Sequence, residues 1–236
     1  MRKVWVLAAV ALLVVALLIP AVSIPQALGR RGDRVEVFKA AVVSVTNSSI
    51  TVVREEASEE LAARGRWLLL SGDAVKVALW DEAKAYIGEG EALMVAASID
   101  RGNRTISVLL GLKQGDVVLA RPALLKRWAR RHVRTKSYIG VRGEIVQKGS
   151  NYLLIQRNGR KGLVIVGGRW LKAGEGEVEW SDVAEEFRVG DTIRVFCHNV
   201  LLMNREFSEV FGIDAVIWGY SGAIVDLTSG VTVSRA

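Results

Sequence analysis

The residues best able to do chemistry are few. Among 236 residues there are two histidines, His132 and His198, and a single cysteine, Cys197. Cys197 and His198 are adjacent, and neighbours on a strand point to opposite faces, so the pair would not converge on a metal ion. One cysteine also excludes an intramolecular disulfide framework. No Gly-x-Ser-x-Gly elbow, P-loop or dinucleotide fingerprint occurs. Gly88-Glu89-Gly90-Glu91 and Gly174-Glu175-Gly176-Glu177 lack the spaced Asp/Asn series of a calcium loop and read as turns. The expectation is a chain without catalytic residues, cofactor or metal, and no small-molecule substrate is inferred.

Charge is the stronger signal. Arg121–Lys136 carries seven Lys/Arg and no acid, which equals the formal net charge of +7 on the whole chain. Pro122 suits a helical first turn, and Leu124, Leu125, Trp128 and Val133 fall on one helical face. The segment is therefore expected to be a basic amphipathic linker helix over 121–137. Its contacts with a membrane surface or another anionic partner would come from Arg121, Lys126, Arg127, Trp128, Arg130, Arg131, Arg134 and Lys136. The plainer reading is a solvated helix whose charge meets the acidic run Glu55-Glu56-Ala57-Ser58-Glu59-Glu60, placed as an insertion between the second and third strands.

The elements that position these residues are mainly β. Gly140–Arg157 reads as a hairpin, and Ala41–Arg54 has the same apolar runs around a polar turn. The likeness continues at an offset near one hundred. Gly65-Arg66-Trp67-Leu68 answers Gly168-Arg169-Trp170-Leu171, and Trp80-Asp81 answers Trp180-Ser181. Two duplicated units follow, 37–120 and 138–218, after a connector at 29–36. Each has a hairpin, a third strand and a short helix (81–87, or 181–187 capped by Ser181). Fourth and fifth strands complete it, the last of these expected at 105–110 and 209–218. The paired tryptophans read as core. Gly219–Arg235 repeats the hairpin opening, and 219–236 is expected to be an extra C-terminal hairpin, a partial third repeat open to a protein partner or self-association by strand addition.

Five strands with a helix between the third and fourth is the layout of an OB-type barrel. Phe187-Arg188-Val189-Gly190-Asp191-Thr192-Ile193-Arg194-Val195 resembles the entry to strand four in small OB-like barrels of exported or membrane-anchored prokaryotic proteins. That resemblance spans most of 37–218 and implies a fold, two tandem OB-like five-stranded barrels, without a particular activity. OB barrels often bind nucleic acid on strands two and three, and Tyr152, Arg157, Arg160 and Lys161 are the residues of the second barrel that could form such a face.

At the start, Arg2 and Lys3 precede an apolar run through 4–24, long enough to span a bilayer, so 1–28 is read as a transmembrane anchor or a signal peptide. Asn47 and Asn103 lie in Asn-x-Ser/Thr sequons that would suit glycosylation of an exported chain. Together these readings lead to a single-pass protein of the cell membrane, its barrels extracytoplasmic, or secreted if the signal is cleaved. It would serve as a non-enzymatic structural or interaction module at the cell envelope. The competing reading is a membrane-tethered nucleic-acid-binding protein using 121–136 and the second barrel.

Overall fold

The structure, a computed structural model, describes residues 34–101, 104–131, 133–218 and 222–236. The expected anchor at 1–28 lies outside them. Among the described residues no helix is long and apolar enough to cross a membrane. The described residues form one compact unit.

The described residues are mostly strand, arranged in two sheets. In the first, β1 (Arg34–Val45), β2 (Ser49–Arg54), β3 (Ala57–Ala62), β6 (Gly90–Arg101) and β7 (Arg104–Gln114) close a five-stranded ring in the order β1-β2-β3-β7-β6. The seam is parallel and made by the single pair Ala62↔Val108. A side sheet of β8 (Val117–Ala120), β4 (Arg66–Ser71) and β5 (Ala74–Leu79) extends from β7. The second sheet repeats the ring as β9 (Val133–Lys148), β10 (Tyr152–Arg157), β11 (Arg160–Ile165), β15 (Ala215–Trp218) and β14 (Thr192–Met203). Its seam, β11 with β15, is also parallel and runs from Gly162↔Ala215 to Ile165↔Trp218. This is the OB strand order; the four-pair seam closes the second ring, whereas in the first only the Ala62–Val108 pair joins β3 to β7.

Several boundaries differ from the sequence pattern. The acidic run is no insertion: Glu55 and Glu56 form the β2–β3 turn with φ of 49° and 69°, and Ala57 begins β3. Asn158 and Gly159 make the matching β10–β11 turn at φ 50° and 75°. Two-residue hairpin turns of this hand need positive φ twice, which Asn-Gly meets with little strain and Glu-Glu does not. The short helices begin at the tryptophans, α1 at Trp80–Ala83 and its counterpart at Trp180–Val183. The latter is capped by Glu179 and Asp182 in a reciprocal box, not by Ser181.

The basic segment forms a helix only over Pro122–Trp128, here α2. Val133–Lys136 belong to β9, because the backbone there pairs with Leu201–Met203 and Val200 of β14 and Val133 is buried. With the counterpart of α1 as α3, a fourth helix, α4 (Arg205–Phe211), stands where the sequence suggested the start of the last strand. Asn204 caps it by accepting from the Phe207 N–H at 3.0 Å, and Gly212 ends it in the left-handed conformation.

The C-terminal hairpin is the most informative departure. Its strands, β16 (Ala223–Asp226) and β17 (Thr232–Arg235), pair with β14 and with β12 (Arg169–Lys172), whose other neighbour is β13 (Gly176–Glu179). They take the places that the end of β7 and β8 take in the first sheet. Leu68↔Ala120 corresponds to Leu171↔Ser234, and Leu93↔Lys113 to Arg194↔Val225. The hairpin thus finishes the second unit and does not begin a third. Its resemblance to an opening hairpin reflects the shared alternation of a paired strand.

Three apolar clusters hold the fold. One fills the first ring around Trp67 and Trp80, and another fills the second around Trp170 and Trp180, all four tryptophans being buried as expected. The third joins the rings, with Leu68, Val75 and Leu110 from the first unit against Phe207, Phe211, Ile213 and Val216 from the second.

Candidate functional site: a basic face and the mouth of the second barrel

The eight residues assigned to an anionic contact are divided by the fold. Arg121 is structural. Its guanidinium lies 5.2 Å from the Trp67 ring centroid and donates to the carbonyls of Leu109 (3.2 Å) and Arg64. Burial pulls its pKa down to about 10, which leaves it charged at neutral pH. Arg235 does the same in the second unit, 4.7 Å from Trp170 and donating to the Gly167 carbonyl at 2.7 Å. Lys126, Arg127, Arg130, Arg131 and Arg134 are exposed, and none of them meets a carboxylate among the described residues. Arg127 lies 5.6 Å from the half-buried Trp128 ring. The run Glu55–Glu60 does not supply the partner suggested for them; Arg54 is its nearest cation, 4.0 Å from Glu55. Lys136 lies on β9, and its side chain falls outside the described set.

The face proposed on the second barrel is divided as well. Tyr152 is not a stacking platform. It is 2% exposed within the cluster joining the rings, and its hydroxyl accepts from Gln147 Nε2 at 2.6 Å. Burial, helped by Asp73, pushes its pKa up. Beside it, Asn151 of the β9–β10 turn reaches the edge of β5. Its Oδ1 accepts from the Val75 N–H at 2.8 Å, and its amide donates to the Val75 carbonyl. The Ser150 N–H adds a bond to the Asp73 carbonyl at 2.7 Å.

Arg157, Arg160 and Lys161, by contrast, are brought together. They rim an open groove of about 420 Å³ at the end of the second ring where β10 turns into β11. Its floor is apolar, formed by Val141, Ile155, Val200, Leu202, Ala215 and Ile217. Asp214 also reaches the rim, where its Oδ2 accepts from the Lys161 N–H at 2.7 Å. Sequence reasoning found the cations and missed the groove, because its floor comes from strands far apart in the chain. A larger hollow of about 600 Å³ lies along the weak seam of the first ring, with Arg64, Glu60, Thr105 and Trp128 among its walls.

On the outer face of the second ring, Arg142 stands directly across from Arg194, and Arg194 lies 5.8 Å from the Phe196 ring. Asn47 is exposed in the β1–β2 turn and accepts a bond from Lys84 Nζ, whereas Asn103 and His132 lie outside the described residues. Among the described residues no three His, Cys, Asp or Glu side chains gather as metal ligands would.

Comparison with protein-family models, with curated proteins and with solved structures finds no match of any of the three kinds.

Proposed function

We propose that this chain is a membrane-tethered binding module rather than a catalyst. Tandem OB-like barrels related by internal duplication form its body, and it docks on anionic lipid through the basic face around α2. The observation carrying this reading is that Lys126, Arg127, Arg130, Arg131 and Arg134, close together in the chain beside Trp128, are each exposed and meet no carboxylate among the described residues. Each such cation near an anionic bilayer contributes on the order of 1 kcal/mol, so five can hold a barrel against head groups. The apolar run 4–24 is the tether in this reading, with the barrels on the extracytoplasmic side at the cell envelope. Residues 31–236 are expected to sediment with phosphatidylglycerol vesicles and not with phosphatidylcholine vesicles, and to lose that binding when Arg127, Arg130, Arg131 and Arg134 become Gln. Unchanged sedimentation of that variant refutes the assignment. Protease cleavage of a C-terminal tag on intact cells tests the orientation.

A second reading has its own observation. The opposed Arg142 and Arg194, with Phe196 beside them, combine charge and an aromatic ring on one strand face, as single-strand binders do. Salt-dependent retention of single-stranded DNA, reduced by Arg142→Gln with Arg194→Gln, would favour it.

A further inference from the structure

The two rings are alike in backbone and differ at one end, and that difference points to a ligand. In both, the bulge in the first strand puts Val42 opposite Val52 and Ile145 opposite Ile155. Four residues before Val42 is Phe38, and four before Ile145 is Val141. Phe38 is 4% exposed, and Arg54, the last residue of β2, covers its ring at 4.8 Å while pairing with Glu36 at 3.0 Å. The mouth of the first ring is thereby filled and its arginine neutralised.

In the second ring the smaller Val141 stands at the position of Phe38, and Ile139 at that of Glu36. Arg157, equivalent to Arg54, has no carboxylate partner among the described residues. Val141, at the register position where the first ring has Phe38, lines the groove of about 420 Å³. Among the described residues three cations line it against one carboxylate, Asp214, which accepts from a backbone N–H. Barrel mouths of this size with an apolar floor and a few convergent polar groups are where small ligands bind.

We propose that the mouth of the second barrel binds a single-chain anionic amphiphile, a free fatty carboxylate. Its chain lies on Val141, Ile155 and Ile217, and its head group meets Arg157, Arg160 and Lys161. The groove holds one hydrocarbon chain rather than the two of a phospholipid, and a carboxylate matches an arginine fork bidentately. The apolar floor favours the chain and the rim selects the charge. Neither feature alone would separate a fatty acid from an alcohol or from a small anion.

The test uses the full chain in phosphatidylcholine nanodiscs, labelled with a photoreactive decanoate and mapped by mass spectrometry. Cross-links are expected in the peptides around Ile155–Gly162 and Leu202–Ile217. Excess decanoate should compete and decanol should not. Val141→Phe, which copies the filled mouth of the first ring, is expected to abolish this labelling. Arg157→Gln with Lys161→Gln, both at exposed positions, is expected to weaken it by at least about tenfold, the scale of a single lost charge-assisted contact being a lower bound for two. The double Gln variant decides the matter if Val141→Phe fails to fold. Labelling that maps elsewhere, that decanol blocks equally, or that both variants leave unchanged overturns the proposal. Protection by phosphatidylglycerol in the disc, with none by decanoate, replaces the free acid by a membrane lipid and overturns the assigned occupant. Replacing Arg127, Arg130, Arg131 and Arg134 by Gln should leave this labelling intact, which keeps the result separate from that of the lipid-docking face.

Discussion

At the scale of single residues, the two arginines stacked on buried tryptophans are the clearest case of a charged group used as structure. Arg121 and Arg235 each close a unit by covering Trp67 or Trp170 and satisfying carbonyls that the strand ends leave open. Replacing either by Ala should cost about 2 kcal/mol, from a lost cation–π contact and unmet carbonyls, measurable by urea unfolding. Cys197 gives a second test. Burial raises its thiol pKa from an ordinary 9.0 to about 11. Below pH 9 the thiol is neutral in both states and has no effect on stability. As pH rises past 9 the unfolded chain ionises first, so stability falls until the folded thiol titrates near 11. Tyr152, raised by burial, and Lys172, raised by Glu175 and Glu186, act in the same direction. Cys197→Ala should therefore flatten, without abolishing, the loss of stability expected between pH 9 and 11, with alkaline denaturation as the measurement.

At the scale of elements, turns and joints decide more than strand propensity. The Glu55-Glu56 turn carries two non-glycine residues at positive φ, beside a strand already rich in acid. Changing the pair to Asn-Gly, the chemistry that the second unit uses at 158–159, is expected to stabilise the protein by about 1 kcal/mol in thermal melts. The C-terminal hairpin depends on Gly222, where a Cβ would come within 1.4 Å of the Phe196 carbonyl oxygen. That contact involves backbone, so Gly222→Ala should cost about 3 kcal/mol or prevent the hairpin from docking. Deleting 222–236 would strip Ile224 and Val233 from the core and uncover Trp170. Loss of folding in the second ring is the expected result, and a stable truncated chain would refute it.

At the scale of the whole molecule, the joint between the rings behaves as core. Asn151 pairs both backbone groups of Val75, and Phe211 packs where a Cβ on Gly111 would stand 2.3 Å from its ring. With one apolar cluster spanning both rings, heat unfolding should appear as a single calorimetric transition. Two well-separated peaks would show that each ring folds without the other. Asn151→Ala leaves a buried donor and acceptor unmet and should lower that transition by about 2 kcal/mol of stability.

The sequence by itself determined the mainly-β class, the repeat near one hundred residues and the burial of the four tryptophans. These are local or periodic properties, carried by alternation, turn residues and matched Gly-Arg-Trp landmarks. It also located the segment in which the cations concentrate, 121–136. It did not determine that Arg121 is packing while Arg127 is surface, that Tyr152 is core, or that the last hairpin completes the second unit. An alternating strand looks alike whichever neighbour it pairs with, and only the registers of β14 with β16 and β12 with β17 settle the matter. The groove at the second barrel's mouth was equally hidden. Its walls come from β9, β10, β11, β14 and β15, which lie far apart in the chain and which only the ring brings together.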